Sequence, residues 1–147
     1  MTSRNLAYRA IGSLLVVVHS QGEASDPEWD QYMQHVSALR HRSGDSFQML
    51  VYALGGAPTA SQRSRLTTAL GRRPVPLAVL STSSLVRGVV TALSWFNPGI
   101  RSFLPTQLGD ALRFLPAPVE PQTVLATVMA LCADLNLPRP TFAEARP

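Results

Sequence analysis

The stretch FQMLVYALGGAPTASQRSRLTTALGRRPVPLAVL, residues 47–80, decides the fold. It opens on Phe47 to Leu54, apolar throughout except for Gln48. A continuous apolar run of this length implies a strand buried on both faces, as in the middle of a parallel sheet. Gly55, Gly56, Ala57 and Pro58 break the run. Thr59, with Gln62 three positions later, carries the capping-box signature of a helix start. Leu66, Ala69 and Leu70 give that helix a narrow apolar face, Gly71 suits its C-terminus, and Arg72-Arg73-Pro74 ends it. Val75 to Leu80 is then a second buried strand.

The same alternation extends in both directions. Upstream, Leu6–Ala10 and the β-branched run Leu14–His19 flank a turn at Gly12-Ser13 and predict a hairpin. Ser25 with Glu28 reads as another capping box, with Pro27 tolerated in the first turn. Trp29, Tyr32, Met33, Val36 and Leu39 recur at helical spacing, so a helix is expected to about Arg42. Downstream, Ser81–Ser84 offer N-caps to a strongly apolar helix, Leu85 to Phe96. Ile100–Leu104 reads as a short strand, Thr106 as the cap of a helix carrying Leu108, Ala111, Leu112 and Leu115, and Pro121 as the start of a last helix with Val124, Val128, Leu131, Cys132 and Leu135 apolar.

This order predicts an α/β fold. It is a single domain with a mixed, mostly parallel sheet, an N-terminal hairpin, helices packed on the sheet and an extra C-terminal helix. The domain is expected over residues 1–136, with the last helix at 121–136 and a poorly ordered Pro-rich tail at 137–147.

The 147 residues suffice for one core without staples. Charged residues are sparse, 15%, and all 13 basic residues are arginine, giving a net charge of +4. Codon bias accounts for arginine without lysine; an anion-binding surface is the functional alternative. The single cysteine, Cys132, excludes an internal disulfide and a cysteine-based metal site. The longest apolar run is far too short for a membrane span, and no signal-peptide core follows the start, so a cytoplasmic protein is expected.

The second half carries a resemblance. Val75 to Ser81, Leu85 to Leu93, Ile100-Arg101-Ser102-Phe103 and Leu108 to Leu115 resemble the SpoIIAA-like, or STAS-type, family, which places a strand and helix before a short I/V-R-x-F strand and then an L-x-x-A-L-x-x-L helix. The likeness runs over about Leu6 to Leu115. It implies a non-enzymatic protein-interaction or regulatory module, often switched by phosphorylation within Asp-Ser-Ser-Gly at the helix after the central strand. Here Gly55 to Ser61 stands at that place and the Asp-Ser-Ser-Gly motif is missing. Some relatives of the fold resemble CRAL-TRIO-like lipid binders, and a carrier or sensor of a small apolar, lipid-like or anionic ligand is the alternative reading.

Candidate sites follow, each beside a plainer explanation. Thr59 and Ser61 are possible phospho-acceptors at a helix N-terminus, with Arg63 and Arg65 close in sequence; plain helix capping is the simpler explanation. Ser81, Thr82, Ser83, Ser84 and Arg87 are a possible anion or ligand site at the carboxyl end of a strand. They lie in no Gly-rich phosphate loop, and capping competes again. His19, His35 and His41 lack metal-ligand spacing, no G-x-S-x-G elbow is present, and Cys132 falls on an apolar helix face, so neither catalysis, metal nor cofactor is expected. Arg63, Arg65, Arg72 and Arg73 suggest a basic edge, but without aromatic residues for stacking no nucleic-acid partner is expected. A protein partner is expected, with self-association through the C-terminal helix as one route and Trp95-Phe96 as an apolar patch.

Overall fold

The computed structural model describes residues 4–140. Residues 141–147, most of the Pro-rich tail, lie outside the described residues. Five strands form one sheet: β1 (Leu6–Ile11), β2 (Leu14–His19), β3 (Gln48–Ala53), β4 (Leu77–Leu80) and β5 (Ile100–Phe103). Five α-helices accompany them: α1 (Asp26–Ser43), α2 (Ala60–Leu70), α3 (Ser84–Ser94), α4 (Leu108–Phe114) and α5 (Pro121–Asp134).

The strands lie side by side in sequence order. β1 and β2 pair antiparallel, with Leu6 opposite His19 and Ile11 opposite Leu14. Every later pairing is parallel. A turn at Gly12, with φ of 58°, closes the hairpin; that left-handed backbone suits glycine. The expected α/β architecture is therefore the observed one.

Strand order dictates where the helices go. βαβ crossovers share one hand almost without exception, and the sheet always grows in the same direction, which accounts for α1, α2 and α3 falling on one face. They bury Leu15, Val17, Met49, Leu77, Val79 and Ile100 there. The opposite face, carrying Leu14, Val16, Val18, Leu50, Tyr52 and Leu80, is left for whatever follows β5. α4 covers β4 and β5, and α5 covers β2 and β1. The apolar stripe of α5 is spent on this packing: Val124, Val128, Leu131 and Cys132 are buried. Leu137, beyond the helix, adds to the same core, and its N–H donates to Cys132 O at 2.9 Å.

Three local readings are refined, two of them by contacts distant in sequence. Ser25 caps α1 through Glu28 N–H, but Glu28 does not close the box. Its Oε2 accepts the backbone N–H groups of Asn5 at 2.8 Å and Leu6 at 2.9 Å, tying the entry of β1 to α1. Gln48, the polar interruption in the central run, pairs through its amide with both N–H and C=O of Ala117 at 3.3 Å, anchoring the α4–α5 connector. Thr106 does not cap α4. It is exposed in a 3-10 turn, Pro105–Gln107, where the Gln107 side-chain oxygen accepts Leu104 N–H at 2.8 Å.

Candidate functional site

The four parallel strands end at His19, Ala53, Leu80 and Phe103, and the loops after β2, β3 and β4 share this carboxyl edge. Open α/β sheets bind ligands here where the strand order reverses, because neighbouring loops then diverge into a crevice. In this sheet the order never reverses. The edge is closed instead. Gly56 N–H donates to Ser20 O at 3.0 Å, Leu54 N–H donates to His19 O at 2.9 Å, and Ser81 N–H donates to Phe103 O at 3.0 Å.

The hydroxyl groups singled out by sequence sit at this edge, and several act as caps. Thr59 forms the full capping box with Gln62: Gln62 N–H donates to Thr59 Oγ1 and Thr59 N–H to Gln62 Oε1, both at 3.1 Å. Ser61 is exposed on the first turn of α2. Arg63 donates to Pro58 O at 3.1 Å, beside Thr59, while Arg65 is ion-paired with Asp30 of α1. Ser81 is buried, and its Oγ accepts Ser83 N–H at 3.1 Å; Ser83 in turn caps α3 by accepting Val86 N–H at 3.3 Å. Thr82, Ser84 and Arg87 are exposed. The structure thus keeps Thr59 and Ser61 at the head of α2 and Ser81 to Arg87 at the head of α3, as two separate clusters.

The suggested basic edge is dispersed. Arg73 donates to both carboxylate oxygens of Asp45 at 2.8 Å, and Arg63 and Arg65 are engaged as above. Cys132 is enclosed by the second core, and burial pushes its thiol up to about 11, so it stays protonated near neutral pH. Among the described residues no group of three or more His, Cys, Asp or Glu is placed to hold a metal ion, and no helix is long and apolar enough to cross a membrane.

The most distinctive site lies beneath the helices. α2 packs on α1, while α3 packs over β5. Between them and the sheet is a partly open cavity of about 60 Å³ with an almost wholly apolar wall. Val51 and Val79 form its floor, Leu66 one side, Val86 and Val89 the other, and His19 its carboxyl end. His19 reaches it because residues of a strand alternate between faces, so His19 shares the side of Leu15 and Val17.

His19 is 4% exposed. Its Nδ1 lies 3.0 Å from Ser20 O. A carbonyl can only accept, so Nδ1 carries the proton and Nε2 is a bare acceptor. Among the described residues Nε2 is the one buried side-chain nitrogen or oxygen without a hydrogen-bond partner. Leaving such a group unsatisfied costs on the order of 1–3 kcal/mol. Gly56 packs directly on the ring, since a Cβ there would stand 2.7 Å from His19 Cε1. Sequence reading weighed His19 only as a metal ligand; the alternation along β2 was the signal that it joins the helix-covered face.

Burial holds the His19 imidazole below its usual pKa of 6.5, opposed by the Ser20 carbonyl and the Glu28 carboxylate. The unfolded chain therefore takes up this proton first as pH falls. The stabilising preference for the neutral ring is intact above about pH 6.5 and is lost progressively below it. Urea midpoints measured at pH 7.5 and 5.5 should show the wild-type chain weakening in acid. His19→Leu should show a smaller drop; an equal drop would remove His19 as the cause.

Compared with protein-family models, with curated proteins and with solved structures, the chain matches none.

Proposed function

We propose that this chain is a non-catalytic regulatory module of the SpoIIAA-like, or STAS, type, which works in the cytoplasm by docking another protein. The observation that carries the reading is the large apolar side chains exposed at the two ends of α3. Leu85, Val89, Ala92 and Phe96 recur at helical spacing; Val89 and Ala92 are half-buried, while Leu85 at the start and Phe96 just past the end stand in solvent. Leu85 is 62% exposed, Phe96 70%, and Trp95 beside it 78%. Clustered large apolar side chains in solvent mark interaction surfaces, and tryptophan is among the residues that carry most interface energy. The hairpin followed by strand–helix units supports the family assignment, as does the hydroxyl-bearing start of α2 after the central strand.

A photo-crosslinking amino acid at Trp95, introduced in the native host, tests this directly. It should trap one recurring polypeptide, while the same group at exposed Thr123 on α5 should not. Absence of a product at Trp95, or the same products at both positions, would sink the reading.

A second reading, carrier or sensor of a small apolar ligand, is favoured by the cavity at His19. Its 60 Å³ suits the end of a small molecule, well short of the ~300–1,000 Å³ of drug-sized sites.

A further inference from the structure

Charge is unevenly distributed along this chain. Between Asp45 and Asp110 there is no Asp or Glu, while the same stretch holds six arginines: Arg63, Arg65, Arg72, Arg73, Arg87 and Arg101. It builds β3, α2, β4, α3 and β5, and these elements supply most of the wall of the apolar cavity. Acids from outside the stretch reach two of the six: Asp30 pairs with Arg65 and Asp45 with Arg73. Arg63, Arg72, Arg87 and Arg101 have no carboxylate partner among the described residues. Arg63 stands beside the cavity, since its guanidinium donates at 3.1 Å to the carbonyl of Pro58, a lining residue. The acids at the head of α1 are already engaged, Asp30 by Arg65, Asp26 by Gln62 and Glu28 by the N–H groups of Asn5 and Leu6. Ala57, Pro58 and Val89 line the cavity and are only half-buried, so its lining reaches solvent. The wall offers almost nothing to hydrogen-bond, so the group that fills it is hydrocarbon. Its volume of about 60 Å³ suits the branched end of one aliphatic side chain.

We propose that the protein docked by this chain presents an acidic segment with one leucine-sized side chain, which enters the cavity between α2 and α3 while flanking carboxylates meet Arg63 and the other unpaired arginines. The assignment rests on the docking reading above and names the partner's chemistry. An apolar side chain seated in a dry pocket supplies the binding energy of an interface anchor. The arginines set the sign of the charge that is accepted and speed the approach of a partner carrying the opposite one. Leu85 lies one turn before Val89 on the same side of α3, so apolar surface continues from the cavity lining along the helix. A phosphate backbone would also be drawn to these arginines, but it brings no aliphatic side chain for the cavity.

The test is selection of a phage-displayed library of random short peptides on the full chain, followed by affinity measurements on the recovered sequences. These should be rich in Asp and Glu around one Leu, Ile or Met, and should bind more weakly as salt rises. Arg63→Glu should weaken them about tenfold, while Arg42→Glu, at an exposed position on α1, should change nothing. Val89→Phe, which fills the cavity from its half-buried lining, should also weaken them at least about tenfold. Peptides without an acidic bias, or an affinity that Arg63→Glu leaves unchanged, would overturn the assignment. An affinity unchanged in folded Val89→Phe would place the peptide outside the cavity and overturn it equally, freeing the cavity for the small-ligand reading. Recovery of no binder would also overturn it, as would a fluorescent oligouridylate binding more tightly than any peptide. In each case the docking reading itself falls only if the crosslinker at Trp95 traps nothing. Should Val89→Phe not fold, movement of the Leu66 and Val86 methyl NMR signals on adding the peptide to the wild type decides instead.

Discussion

Gly56→Ala should destabilise the fold by about 3 kcal/mol, at the upper end for overpacking a tight site. A Cβ at this position would stand 2.3 Å from Gly22 O and 2.5 Å from Ser20 O. Both are backbone atoms, so neither can swing aside as a flexible side chain would. Moving the Ser20 carbonyl would also break the hydrogen bond from Gly56 N–H and disturb the oxygen to which His19 Nδ1 donates. The same substitution at Gly88 provides the contrast. Gly88 lies within α3, and an added Cβ meets nothing within 4 Å. Gly88→Ala should therefore stabilise by about 0.5–1 kcal/mol through helix propensity. Urea unfolding of the two variants should move the midpoint in opposite directions. A Gly56→Ala midpoint equal to that of the wild type would contradict the close approach of the two loops.

Gln62→Ala should cost about 2–4 kcal/mol, the sum of lost buried hydrogen bonds and a cavity. Gln62 is 1% exposed although its side chain is an amide. Its Oε1 accepts Thr59 N–H, and its Nε2 donates to Ala24 O at 2.9 Å and to Asp26 Oδ1 at 3.3 Å. Its backbone carbonyl accepts the indole N–H of Trp29 at 3.1 Å. One residue thus joins the head of α2 to the head of α1. Alanine would leave the Ala24 carbonyl and the Thr59 N–H without these partners. Thermal unfolding should show the loss, and a change within about 0.5 kcal/mol, usual for uninvolved surface sites, would show that water replaces the amide.

Much of the fold was legible because its signals are local. Continuous apolar runs at 14–18 and 49–54 gave the central strands, and Thr59 with Gln62, and Gly71, gave helix ends that the backbone uses. What escaped was side-chain traffic between distant segments. Glu28 carries the capping-box spacing yet serves β1, and Gln48 looked like an interruption although it pairs with a connector 69 positions away. Thr106 has a capping residue type, but Pro105 starts a 3-10 turn first. The candidate site divides the same way. The capping roles of Thr59 and Ser83 could be read from spacing. The cavity at His19 could not, because its walls come from three helices and the sheet, and no short pattern encodes where they meet.

The unbroken strand order has a consequence for how the chain comes to be folded. Each strand docks on the one synthesised just before it, so the sheet can assemble vectorially as the polypeptide emerges from the ribosome. The exception is α5, which returns to cover β1 and β2. Until residues 121–134 are made, Leu14, Val16 and Val18 face solvent on a sheet that is otherwise complete. A nascent chain stalled before that point would carry a sticky, chaperone-attracting surface, and synthesis of the last helix would be the event that releases it.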